Sequence, residues 1–348
     1  MPDATPIKIL DGGLGTSLED KYNVDFSTKT PLWSSQCLLS DQDTLLKCQT
    51  DFGNAGADII STATYQTSIN GFEASGVSVD DIPKFLADAV SIAKKASSAR
   101  DGNDGEVALS LGPYGATMIP SAEYSGKYDA EHGNHDALAE WHNQRLELFT
   151  KMDDSLLNEI KYLAFETIPR IDEIIAIRTM MKDMSASKSK LAQIPMWISC
   201  LFPGDDETLP GGWFSAQDVV DVMMTKGIFD TVPWGIGINC TKVSKLPSLV
   251  KRFEAIIRDM IEDARLEEWP SLVLYPDGTN GEVYNTATKK WEVPDGVEVS
   301  ETPWETQLAD VVKATKQSGQ WRSILVGGCC KTTHKDIARL REALLGVN

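Results

Sequence analysis

Eight short apolar runs recur along this chain, each separated from the next by a longer stretch whose apolar residues fall at helical spacing. The runs are Ile7–Leu10, Asp58–Ser61, Val107–Leu111, Tyr162–Phe165, Met196–Leu201, Gly235–Ile238, Leu272–Tyr275 and Ile324–Val326. Such short, nearly continuous apolar runs suit strands covered on both faces. The stretches Asp43–Ala55, Ile82–Ser97, Asp136–Ile160, Ile171–Met184, Ala216–Thr225, Leu246–Ala264 and Gln307–Gln317, with His334–Leu345 last, read as helices. Alternation of this kind dictates a parallel sheet clothed in helices. Eight repeats predict a closed (β/α)8 TIM barrel, an α/β fold, rather than its rival, an open doubly wound sheet.

Length alone, 348 residues with 42% hydrophobic content, would allow two ordinary domains or one large barrel. No Gly/Ser linker or low-complexity segment divides the chain, so one domain spanning residues 1–348 is predicted. The strand-to-helix connections Gly112–Asn134, Phe202–Phe214 and Pro276–Pro303 are long, which implies a built-up rim at one end of the ring. The third opens with the turn formers Pro276-Asp277-Gly278-Thr279-Asn280-Gly281 and reads equally as a cover for the mouth or as a surface insertion.

Chemistry in such barrels gathers where strands end. The run Gly235-Ile236-Gly237-Ile238-Asn239 closes in Cys240, and Ile324-Leu325-Val326-Gly327-Gly328 closes in Cys329-Cys330. Only a fold that returns strand ends to one rim joins these segments. Three thiolates with an open fourth position suit a catalytic zinc ion, and Gly327 and Gly328 let the backbone turn so that consecutive side chains reach one ion. Cys37, Cys48 and Cys200 read instead as small buried hydrophobes.

The N-terminus lacks a basic start followed by an apolar stretch, and no later segment approaches membrane-spanning length, so a cytoplasmic protein is expected. In that reducing setting the cysteines read as thiols or ligands rather than disulfides. A net charge of −18, from 33 basic and 51 acidic residues, argues against nucleic-acid or anionic-membrane partners.

Asp11-Gly12-Gly13-Leu14-Gly15-Thr16 ends the first run, offering Asp11 to an ammonium group and glycine amides to a carboxylate or phosphate. It is no dinucleotide fingerprint, because Leu18 stands at the third glycine position. Glu166 ends the fourth run, and Thr64-Tyr65-Gln66-Thr67 follows the second, either as substrate contacts or as ordinary rim residues. His132, His135, His142 and His334 do not form a metallopeptidase helix, and no nucleophile elbow or Walker loop is present.

Taken in order, Asp11-Gly12-Gly13, Thr64-Tyr65-Gln66, Gly112-Pro113-Tyr114-Gly115-Ala116, Phe165-Glu166-Thr167-Ile168-Pro169, Gly237-Ile238-Asn239-Cys240-Thr241 and Gly327-Gly328-Cys329-Cys330 make the chain resemble the homocysteine S-methyltransferase family over nearly its whole length. The resemblance implies one Zn2+ per chain on Cys240, Cys329 and Cys330, with the sulfur of homocysteine as fourth ligand. It also implies that Asp11 and Glu166 hold the amino-acid end of homocysteine and that Tyr65 lies near the metal. The likeness is greatest to the branch that uses S-methylmethionine or S-adenosylmethionine, since Gly112–Tyr124 fits it and folate- and cobalamin-binding modules are lacking. Lys331 stands where arginine is usual, Ala63 where many relatives have asparagine, and Pro276–Glu282 lengthens a family segment; donor choice and rim geometry are what these touch. The expected reaction is methyl transfer from a sulfonium donor to homocysteine, forming methionine. Selenocysteine methylation, and a non-enzymatic zinc-binding or thiol-redox barrel, are the alternatives; Asp11 and Glu166 favour catalysis, since a metal holder needs no amino-acid clamp.

Overall fold

A computed structural model describes residues 5–346, apart from 27–29, 101, 103, 228–230, 280, 286–289 and 293–299. Its parallel strands are β1 (Ile7–Ile9), β2 (Ile59–Ser61), β3 (Glu106–Leu111), β4 (Ile160–Ile168), β5 (Met196–Cys200), β6 (Gly235–Lys242), β7 (Ser271–Asp277) and β10 (Ile324–Val326). They form one eight-stranded sheet in the order β1-β10-β7-β6-β5-β4-β3-β2. A parallel bridge from Leu10 to Ile59 joins its two ends, so the sheet is a (β/α)8 barrel and not an open doubly wound sheet.

Side-chain alternation along each strand divides the core into two layers. Leu10, Ile59, Ala108, Ala164, Trp197, Val273 and Leu325 pack inside the ring. Their neighbours Ile9, Ile60, Leu109, Phe165, Ile198, Leu274 and Val326 point outward, into the layer that includes Phe52, Leu86, Phe149, Phe253 and Leu308 from the helices. This is why the runs carry almost no polar residue: both faces are buried.

Two strands run further than their apolar runs. Strands β4 and β6 continue through Glu166 and Cys240, and their pairing shifts register between Phe165 and Ile168 and between Asn239 and Lys242. Thr167 (φ 61°) and Cys240 (φ 45°) take left-handed backbone conformations there. Such irregularities re-aim side chains at the rim of a barrel, so these two site residues sit within distorted strand ends instead of after them.

Other expectations need correction. The single helix read over Asp136–Ile160 is two, His135–Thr150 and Asp154–Leu157, because the Asp153 side chain accepts from Ser155 N (2.8 Å) and restarts the helix before β4. A helix over Leu14–Tyr22 follows β1 directly. The third long connection holds an antiparallel hairpin of β8 (Val283–Asn285) and β9 (Lys290–Glu292), which no alternation announced. Much of that connection, residue 280 of its turn-former run included, lies outside the described residues, and with it the expectation that it covers the mouth.

The closing strand is held by its neighbours on both sides. Leu10 N donates to Val326 O (2.8 Å), Gly327 N to Leu274 O (2.9 Å), Gly328 N to Asp11 O (3.0 Å) and Cys329 N to Pro276 O (2.9 Å), while Cys330 O accepts from Gly278 N (2.7 Å). A Cβ on Gly327 would stand 2.6 Å from Asp11 O and from Leu10 Cβ. Gly327→Ala is therefore expected to destabilise the protein by about 1–3 kcal/mol through overpacking against backbone. Gly133→Ala, whose nearest neighbour would be 3.5 Å away, should stay within about 0.5 kcal/mol of wild type when both variants are unfolded in urea.

Candidate active site and metal centre

The rim that these bonds hold carries a cavity of about 480 Å3, lined among others by Asp11, Tyr65, Glu166, Cys240, Cys329 and Cys330. Gln66 lines it too, whereas Thr64 and Thr67, offered with them as possible substrate contacts, do not: their hydroxyls donate to Ser110 O (2.7 Å) and Thr64 O (2.8 Å). The ligand atoms of Cys240, Cys329 and Cys330 lie within 4.8 Å of one another. The sulfurs of Cys240 and Cys329 touch, with Cα atoms 5.6 Å apart, and Cys330 stands beside them. The reason is the convergence itself, which brings the end of β6 and the turn after β10 into contact. Tetrahedral sulfur ligands about 2.3 Å from one zinc ion stand roughly 3.8 Å apart, a spacing small side-chain rotations reach from this arrangement.

The donor set fits a metal. Three sulfurs suit a soft or borderline ion, and burial pushes the Cys330 thiol up to about 12, so that a nearby cation is what would let it ionise. The supporting shell is built as well. Asn239 Nδ2 approaches Cys240 Sγ at 3.4 Å and donates to Thr167 Oγ1 (2.7 Å), whose own backbone N donates to Asn239 Oδ1 (2.9 Å). Thr167 Oγ1 stands 3.7 Å from Cys240 Sγ, and Tyr124 OH 3.9 Å from Cys330 Sγ. These bonds orient the sulfurs in the way that outer partners orient metal ligands. Cys37, Cys48 and Cys200 are buried away from the cluster, where desolvation raises each thiol, as small hydrophobic residues.

Two carboxylates face the same cavity. Asp11 is buried, and its oxygens accept from Ser61 N (2.8 Å) and Ser61 Oγ (3.0 Å); desolvation still raises it to about 6. Glu166 accepts a short hydrogen bond from Ser110 Oγ, and desolvation, with the charge of Asp11 adding to it, raises its carboxyl to about 7. Two anions held near one another in a poorly hydrated space prefer a cation between them. Tyr65 flanks the cavity, and its backbone oxygen accepts from buried Arg145 Nη2 (2.7 Å) and from Gly112 N (3.0 Å).

Not every sequence reading of this rim survives. The amide of Gly13 is already taken, donating to both the backbone oxygen and Oγ1 of Thr332 (3.0 Å each), so it is no anion site. Gly13 is small for another reason: a Cβ there would come within 2.4 Å of Cys329 O. Lys331 pairs with Asp20 (2.8 Å) and its backbone N donates to Thr16 Oγ1 (2.9 Å). Sequence reasoning missed Ser61, Ser110, Glu123, Tyr124, Thr167 and Asn239. The serines sit inside strands among apolar residues, and only their direction into the ring, which period-2 counting from Asp11 and Glu166 does not supply, reveals them.

Both raised carboxyls affect stability in one direction. Between an unfolded value near 4 and the folded value, the native state binds more protons than the unfolded chain, so each group's contribution falls as pH rises through that window. Glu166→Gln should remove it: the wild-type minus variant stability, measured by denaturant unfolding from pH 4 to 8, should fall toward higher pH with a slope of up to about 1.4 kcal/mol per pH unit. A flat difference would show that Glu166 titrates normally.

The family model described as homocysteine S-methyltransferase matches residues 8–344. Homocysteine S-methyltransferase 2 of Zea mays is 30% identical over 97% of this chain and 89% of its own length. A selenocysteine Se-methyltransferase of Brassica oleracea var. italica is likewise 30% identical, covering 97% of this chain and 88% of its own. The crystal structure of the homocysteine methyltransferase MmuM from Escherichia coli, in its metallated form, superposes with a TM-score of 0.69 at 26% identity, covering 97% of this chain and 96% of that one. A match that begins in the first barrel strand and ends in the last helix leaves no part of the ring unaccounted for, and the chain belongs to the homocysteine S-methyltransferase family.

Proposed function

We propose that this enzyme moves a methyl group from a sulfonium donor, S-methylmethionine or S-adenosylmethionine, to the sulfur of homocysteine, giving methionine, with zinc on Cys240, Cys329 and Cys330. The observation that carries the reading is the meeting of three sulfurs and two carboxylates in one cavity. Family membership makes the chain an enzyme of homocysteine methylation and sets aside the non-enzymatic metal-holding or redox barrel.

Bound zinc would supply an activated thiolate at neutral pH, since an ordinary thiol, with a pKa of about 8.5, is mostly protonated there. The chain's own residues do the rest. Asp11 and Glu166, oriented by Ser61 and Ser110, take the ammonium group of homocysteine, which fixes its sulfur toward the cysteines. Asn239 and Thr167 keep Cys240 turned inward. Tyr65 and Tyr124 wall the space above the cluster and keep water from competing with the acceptor. With acceptor and donor held in line, positioning supplies much of the rate, and no side chain is needed as a general base.

A zinc-loaded preparation given homocysteine and each sulfonium should form methionine with at least one, and betaine should not replace them; failure with both sulfoniums would end this reading. Selenocysteine in the same panel tests the activity named for the broccoli relative. Cys330→Ala should lower turnover by more than about 100-fold and weaken metal retention, a larger loss than outer-shell changes cause; unchanged metal content would remove Cys330 from the ligand set. The Michaelis constant for homocysteine should fall as pH rises through 6 to 7, as Asp11 and Glu166 ionise, and Glu166→Gln should flatten that profile.

A further inference from the structure

One anionic group on the cavity wall has no part in the scheme above. Glu123, on the connection after β3, lines the cavity, and its Oε2 is buried without a hydrogen-bond partner among the described residues. Desolvation raises its carboxyl to about 7 although Ser121 and its own backbone amide pull the other way. An unpaired buried carboxylate oxygen is costly, and a cation is the partner that removes the cost. Its chain neighbour Tyr124 also lines the cavity and stands 3.9 Å from Cys330 Sγ, whereas the clamp carboxylates are held at Ser61 and Ser110, which puts the Glu123 segment at the cysteine end of the cavity.

The segment that carries Glu123 is held firmly. Buried Glu173 accepts from Tyr114 N (2.7 Å) and Tyr128 OH (2.5 Å) and lies 3.0 Å from His142 Nε2. Arg145 Nη1 donates to Gly112 O (2.8 Å) at the start of the same connection. Glu123 is therefore presented by a fixed scaffold, as an electrostatic binding group should be.

We propose that Glu123 is the counter-charge for the positive sulfur of the methyl donor, with the rings of Tyr65 and Tyr124 beside it. The inference rests on the methyl-transfer reading. In that step a lone pair on the homocysteine sulfur forms the new S–CH3 bond, and the donor's S–CH3 bond breaks with its electron pair staying on the donor sulfur. The cation facing Glu123 thereby becomes a neutral thioether. Attraction to Glu123 is strongest for bound donor, weaker in the transition state and gone in the product. Such a group lowers the donor's KM without raising kcat, and it releases the spent donor.

The test uses the zinc-loaded protein, Glu123→Gln and Glu123→Asp, with steady-state kinetics and with calorimetric binding of each sulfonium against its neutral thioether: S-adenosylmethionine against S-adenosylhomocysteine, S-methylmethionine against methionine. Glu123→Gln should raise the donor KM by roughly 30-fold or more, leave kcat no lower than wild type, and keep the homocysteine KM and zinc content within about twofold. It should also lose most of the preference for sulfonium over thioether, which Glu123→Asp should partly restore. An unchanged donor KM, or a fall in kcat at constant KM, would overturn the assignment, as would equal weakening of sulfonium and thioether, which would put Glu123 on the donor's amino end. A wild-type protein that methylates nothing would sink the reaction reading alone; the binding arm still judges Glu123, and no wild-type preference for the cation would sink it too. Removing an unpaired buried charge leaves the fold at least as stable, which Tm checks.

Discussion

Everything at the rim depends on how the last strand is inserted. Strand β10 lies between β1 and β7, and the backbone beyond it bonds to Asp11 on one side and Pro276 on the other. Those few bonds do two jobs. They complete the ring, and they hold Cys329 and Cys330 against the end of β6, where Cys240 waits. Glycine at 327 is a condition of both, because backbone from β1 passes where a side chain would be. Fold and site are thus one constraint seen at two scales.

The architecture was legible because a strand buried on both faces leaves a clear trace: a short run that is almost wholly apolar. All eight barrel strands fall on such runs. The hairpin Val283–Asn285 with Lys290–Glu292 left no such trace, since neither of its short strands is a continuous apolar run. The break at Asp153 was hidden for a different reason: apolar residues on both sides keep helical spacing, and only the capping geometry shows that the helix stops.

Of the site, the thiols and both clamp carboxylates could be read from strand ends, whereas their supporters could not. Asn239 and Thr167 are ordinary polar residues in sequence, and their value comes from the register shifts that bring β4 and β6 face to face. Glu123 lay in a long connection with no periodicity to orient it. What identifies it is one buried oxygen with no partner among the described residues, a property no string of residues displays. Two kinds of carboxylate result: all three have a serine partner, but Glu123 alone keeps one buried oxygen unpaired among the described residues.

The placement of the doublet after the closing strand also gives the metal a thermodynamic role. Cys240 alone is a weak, single-toothed ligand, and the other two sulfurs join it only when β10 is seated. An ion held by all three therefore binds the shut ring and ignores the gapped one, and by mass action it draws the population toward closure. A metal held there would act as a rivet across the seam of the barrel.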